Sequence, residues 1–96
     1  MSSFHVCQVV TAKYAPDAAT SREPFRADHL ARLEKLFAQG ALVMAGAFDD
    51  MSATLLVLDV ESKEAAEAIV KTDIYFKKGV WTGFDIKTLN RVGFDG

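Results

Sequence analysis

Ninety-six residues, half of them hydrophobic and a quarter charged, have the balance of one small folded domain, here taken as 1–96, rather than of a disordered chain. Eleven basic and 13 acidic residues leave a net charge of −2, which provides no basic footprint for nucleic acid or anionic lipid. No apolar stretch approaches the roughly 20 residues that cross a bilayer, and the lone Cys7 excludes an intrachain disulfide and fits a reducing compartment.

The N-terminus "MSSFHVCQVV" lacks the basic start of a signal peptide, so the expected location is cytoplasmic. Residues 4–12, "FHVCQVVTA", are rich in Val and Phe and predict a strand buried on at least one face. After the loop "KYAPDAAT", Thr20 and Glu23 stand at capping-box spacing, with Ser21 as an alternative N-cap and Pro24 confined to the first turn. A helix over 22–39 should then end at Gly40, in the place of a left-handed C-cap.

"ALVMAGAF" (41–48) predicts a second strand, interrupted by Gly46, and "DDMS" a turn. "ATLLVLDV" (53–60) is apolar enough for a central strand. Ser62 opens a helix over 62–72, with Ala65, Ala66, Ile69 and Val70 as its narrow apolar face. "IYFKKG" predicts a helical turn or an ordered loop, "VWTGFDIKTL" (80–89) the last strand, and "NRVGFDG" a tail.

The order β-α-β-β-α-β predicts an α+β, ferredoxin-like fold, with a four-stranded antiparallel sheet and both helices on one face. The strands carry apolar residues of both parities, so the uncovered sheet face also asks for burial. Packing two such faces together predicts a homodimer.

At 100° per residue, Phe25, Leu30, Leu33, Leu36 and Phe37 form the stripe of the first helix that faces the sheet. Arg22, Arg26 and His29 fall inside the same arc. Burying an unpaired charge costs several kcal/mol, so these groups either reach solvent at the helix end or face a polar pocket. An imidazole can take or give a proton near neutral pH, and two arginines suit an anionic small molecule. The competing role for His29 is a half-buried histidine bonded to a backbone carbonyl.

Other residues carry less. His5 reads as a tolerated strand residue and Cys7 as an inert buried thiol, and two histidines with one cysteine form no metal-ligand spacing. Asp73 ends the second helix or begins a turn. Tyr75, Phe76 and Trp81 serve packing, though Trp81 and Phe84 are able to wall a pocket for an aromatic ligand.

Three motifs resemble the YCII-related (YciI-like) proteins: Arg22-x3-Arg26-x2-His29-Leu30 with Leu33 behind it, Gly40 followed by "LVMAG" at 42–46, and "DIYFKKGVW" at 73–81. Ile74 and Ala47 stand where that family commonly has proline, and Ser52-Ala53 partly matches a Gly-Ser. The resemblance implies a ferredoxin-like fold in a dimeric α/β barrel, similar to muconolactone isomerases and small antibiotic-biosynthesis-type monooxygenases. It further implies a histidine–aspartate pair, matched by His29 and Asp73, and acid–base chemistry on small hydroxylated or chlorinated aromatic compounds without metal or organic cofactor.

On that basis the expected function is a cofactor-independent lyase or isomerase acting on a small anionic or hydroxylated substrate. His29 is the expected base and acid, Asp73 fixes its tautomer, and Arg26 with Arg22 holds an oxyanion. Two alternatives use the same fold: a non-catalytic dimer that binds a small ligand or protein, and a cofactor-free monooxygenase of quinol-like compounds.

Overall fold

A computed structural model describes residues 2–94 of the chain. Four strands, β1 (Ser2–Tyr14), β2 (Leu42–Ala47), β3 (Ala53–Leu58) and β4 (Trp81–Phe94), form one sheet in the order β2-β3-β1-β4, and every neighbouring pair is antiparallel. The helices α1 (Ala18–Ser21), α2 (Arg26–Ala38), α3 (Lys63–Lys71) and α4 (Ile74–Lys77) complete the chain. The expected α+β, ferredoxin-like architecture, with its helices on one sheet face, is thus the observed one.

Alternation along the strands decides what those helices cover. Val10, Ala12 and Tyr14 of β1 and Leu56 and Leu58 of β3 meet Ala66 and Val70 of α3 in a continuous core that Val80 and Trp81 close. Burial of each large apolar side chain stabilises the fold by about 1.5–3 kcal/mol. The opposite face carries Val9, Leu55 and Val57 at its middle and Asp85 and Lys87 on β4, as the pairings Val9↔Val57, Thr11↔Leu55, Thr11↔Asp85 and Val9↔Lys87 require.

The helix expected over 22–39 is instead two pieces, preceded by the separate α1. Thr20 lies within α1, a 3-10 turn runs over Glu23–Phe25, and α2 begins only at Arg26, with no side-chain cap at either start. Pro24 is the cause. A continuous helix would set its ring against the carbonyl four residues earlier and would lack one N–H. At the other end Gly40, at φ +81, closes α2 as expected. Its N–H bonds Phe37 O at 3.0 Å and that of Ala41 bonds Leu36 O at 2.9 Å, the paired arrangement of a Schellman motif.

The buried stripe of α2 is also narrower than the sequence implied. Leu33 and Leu36 pack on the core, whereas Leu30 and Phe37 are 48% and 64% exposed. At 3.6 residues per turn the latter two stand about 80–100° around the helix from His29, at the flank of the contact. Ser62 caps α3 through the Ala65 N–H at 3.1 Å, and "IYFK" is the short α4.

The sheet departs from expectation at its ends. Residues 90–94, read as a tail, continue β4 and pair with the start of β1, from Val6↔Asn90 to Ser2↔Phe94, because no proline interrupts the ladder. Conversely β3 stops at Leu58 rather than at residue 60. No helix among the described residues is long and apolar enough to cross a membrane.

Candidate active site

One turn into α2, His29 is buried to 5% exposure on the side that meets α4. Its partner arises from ordinary helix-start chemistry. Helix α3 ends at Lys71, and Asp73 then adopts an extended conformation (φ −72, ψ 139) as N-cap of α4, its Oδ1 accepting the Tyr75 N–H at 2.9 Å. That capping geometry holds the carboxylate against α2. His29 Nδ1 lies 2.9 Å from Asp73 Oδ1 and 3.0 Å from Oδ2.

Asp73 is 1% exposed, and a carboxylate so buried requires charged or hydrogen-bonding partners. It has three. Besides His29 and the Tyr75 amide, Arg32 Nη1 donates to Oδ2 at 3.3 Å. An ionised carboxylate only accepts, so the proton of a neutral His29 sits on Nδ1 and the lone pair on Nε2. The ring is further fixed by its neighbours. It stacks on Tyr75 (centroids 3.8 Å apart, 11° between planes) and meets the Trp81 ring edge-on at 5.3 Å.

Ile74, in the place of the family's proline, does not displace Asp73. Proline disfavours the helical region in the residue before it, and Asp73 is already extended without that constraint.

His29 opens on a cavity of ≈ 170 Å³. Its polar wall is Tyr14, Arg22, Arg26, Thr54 and Tyr75, and its apolar wall is Leu30, Leu33 and the β2 segment 45–47. No carboxylate is in that lining, since Asp73 stands behind His29. An apolar cavity of about 150 Å³ admits benzene, so the space matches one six-membered ring.

The cavity is electropositive. Arg22 Nε is buried with no hydrogen-bond partner among the described residues, and Nη1 donates to Met51 Sδ at 3.8 Å. Burial pushes the Tyr75 phenol above its ordinary value and nearby Tyr14 adds to the rise, against the opposing pull of Arg22 and Arg26. Tyr75 therefore stays protonated at neutral pH and is able to donate.

Of the residues singled out from sequence, the fold brings Arg22, Arg26, His29 and Asp73 together. Arg26 is exposed at the rim and Arg22 is half-buried. Trp81 is 1% exposed and supports the rings of His29 and Tyr75 from behind rather than lining the cavity. Phe84 lies away from it, edge-on to Phe76 at 5.6 Å.

Arg32, Tyr14 and Tyr75 were not identified from sequence as part of a site. For Arg32 a signal existed: it stands three residues after His29, on the flank of the stripe opposite Arg26. Elsewhere, His5 Nε2 pairs with Asp59 Oδ1 at 2.6 Å on the surface, Cys7 is fully buried, and the described residues contain no cluster of three His, Cys, Asp or Glu able to hold a metal.

Fold and site together define a small ferredoxin-like α+β domain with a buried histidine–carboxylate pair at a ring-sized, cationic cavity. The YCII-related domain family matches residues 6–90, and the chain belongs to that family. Among solved structures it is similar to the 5-chloro-2-hydroxyhydroquinone dehydrochlorinase TftG from Burkholderia phenoliruptrix, solved in complex with 2,5-dihydroxybenzoquinone. That match has 23% identity, a TM-score of 0.71, and covers 84% of this chain and 90% of the other. It is also similar to PA3566 from Pseudomonas aeruginosa, at 14% identity and a TM-score of 0.55, with 93% and 95% of the two chains covered. These likenesses concern the fold. No curated protein matches the chain in sequence.

Proposed function

We propose that this protein is an acid–base lyase or isomerase of a small, single-ring, hydroxylated or anionic substrate. The observation that carries the reading is the bond from His29 Nδ1 to Asp73 at 2.9 and 3.0 Å, at the wall of a cavity lined by two arginines and no carboxylate. TftG, by its name, removes chloride from a chlorinated hydroxyhydroquinone, and an elimination of that kind is within reach of the groups present here.

His29 Nε2, bearing the lone pair, takes a proton from a substrate hydroxyl or ring carbon. Asp73 stabilises the imidazolium that forms, and Arg22, Arg26 and the Tyr75 hydroxyl face the oxyanion left on the ring. The electron pair then expels a leaving group, or His29 returns the proton at another ring position. Trp81 acts at one remove by fixing the two rings, and every step uses side chains of this chain alone. A cytoplasmic homodimer joined through the open sheet face, whose middle carries Val9, Leu55 and Val57, is the assembly we assign, to be measured by light scattering.

A panel of hydroquinones and hydroxyquinols, plain and chlorinated, tests the activity with product, halide release and oxygen uptake followed together. Turnover without oxygen uptake that falls by about 100-fold or more in His29→Ala and Asp73→Asn is the expected result, in line with general-base contributions of 10²–10⁴. Binding without turnover, or turnover unchanged in both variants, overturns the reading. Stoichiometric oxygen uptake assigns the monooxygenase alternative instead.

A further inference from the structure

We infer that Arg32 is a positioning residue of the His29–Asp73 pair, fixing the carboxylate and competing with the imidazolium for its charge. The inference rests on the acid–base reading only for its consequence in turnover. The contact itself stands on geometry.

The two oxygens of Asp73 are committed differently. Oδ1 accepts the Tyr75 amide at 2.9 Å, Oδ2 accepts Arg32 Nη1 at 3.3 Å, and His29 Nδ1 reaches both. Donors on each oxygen prevent the carboxylate from rotating away from the imidazole. Arg32 is itself anchored. Its Nη2 donates to Thr72 Oγ1 at 2.6 Å, and that hydroxyl donates to Ala68 O at 2.7 Å at the end of α3. A guanidinium gripped at two points loses less on forming each bond than a flexible ammonium does.

The charge matters as much as the grip. A buried carboxylate beside a histidine favours the imidazolium over the neutral ring. Arg32, always protonated, already answers the negative charge of Asp73. The charged and titratable groups around the ring are Asp73 and Tyr75 from the α4 turn, Tyr14 from β1, Arg22 from the segment after α1, and Arg26 and Arg32 from α2. Of the three arginines, only Arg32 contacts Asp73.

The test is a titration of His29 by nitrogen-15 NMR on the full chain, with the two histidine signals assigned by His5→Gln. It needs no substrate. In Arg32→Gln the midpoint should rise by about one pH unit, since an opposing positive charge is gone. In Asp73→Asn it should fall. Arg32→Lys, which keeps the charge, should stay within about 0.3 units of the native midpoint, a smaller shift than a lost charge at this distance produces. An unmoved midpoint in folded Arg32→Gln overturns the inference. Should Arg32→Gln not fold, a full-unit rise in Arg32→Lys does so. Turnover retained in His29→Ala would remove the enzymatic reading while leaving this result intact.

Discussion

The imidazole of His29 lies flat on the phenol ring of Tyr75, with 3.8 Å between centroids and 11° between planes, while the Tyr75 backbone N–H bonds Asp73 Oδ1 at 2.9 Å. One residue thus fixes both members of the pair, the ring through its side chain and the carboxylate through its peptide. The path of the chain through "TDIY" orients the site as much as the long helix does.

Removal of Asp73 should cost more stability than removal of His29. Asp73→Ala leaves two buried donors, His29 Nδ1–H and the Tyr75 amide, and the part-buried Arg32 without an acceptor, a loss of about 3 kcal/mol by the usual cost of breaking a buried charged network. In His29→Ala the carboxylate keeps Arg32 and the Tyr75 amide, so the expected loss is about half as large. Urea unfolding at pH 7 gives the order, and equal losses would contradict the saturated carboxylate.

Ile74→Pro should be tolerated. Asp73 is already extended, and the Ile74 N–H is the first of α4, where an intrahelical partner is missing in any case. A compatible proline stabilises by about 0.4–1 kcal/mol through the unfolded chain, which offsets lost contacts of the partly buried Ile74. We expect a net change within about 1 kcal/mol and an unaltered Nδ1–H signal of His29. A larger loss would mean that Ile74 packing holds α4.

The two cavity arginines should differ. Charge-assisted bonds contribute about 1.5–3 kcal/mol, or 10- to 150-fold in affinity. With the tightest-binding hydroquinone of the proposed panel as probe in calorimetry, Arg22→Gln should weaken binding toward the upper end and Arg26→Gln toward the lower. Arg22 is half-buried with an unpaired Nε, whereas Arg26 is exposed to solvent screening. The reverse order would place the anionic group at the rim.

Stability should decline at alkaline pH through Tyr75. Its folded-state value is raised above 10.0, chiefly by burial, so the folded state holds that proton more tightly than the unfolded chain. The contribution is complete below about pH 10 and is lost as pH rises through the folded value. Urea midpoints between pH 9 and 11 should fall more steeply in the native protein than in Tyr75→Phe. Parallel curves would show that the phenol titrates as if exposed.

The sequence by itself determined the element order and hence the fold. Two βαβ halves with short turns leave few antiparallel arrangements, the Val and Phe content of "FHVCQVVTA" marked a buried strand, and the continuous apolar run of "ATLLVLDV" marked a central one. Helical spacing likewise set Arg26 and His29 on one side, because 3.6 residues per turn is a local rule, whereas Arg22 reaches the same cavity from before the break at Pro24. The break at Pro24 was not read from the sequence, since a proline in a helix's first turn and a proline in a 3-10 turn between two helices have the same local sequence.

Only the tertiary structure decided what stands behind that face. Asp73 and His29 are 44 positions apart, and no periodicity links a helix to the cap of another. The resemblance of "DIYFKKGVW" to a family motif named the partner, while packing of α4 on α2 brought the two within 3.0 Å. Arg32 and the inward phenols of Tyr14 and Tyr75 emerged the same way. Their spacing fits surface or core equally well, and their roles come from the carboxylate and the cavity that the fold sets beside them.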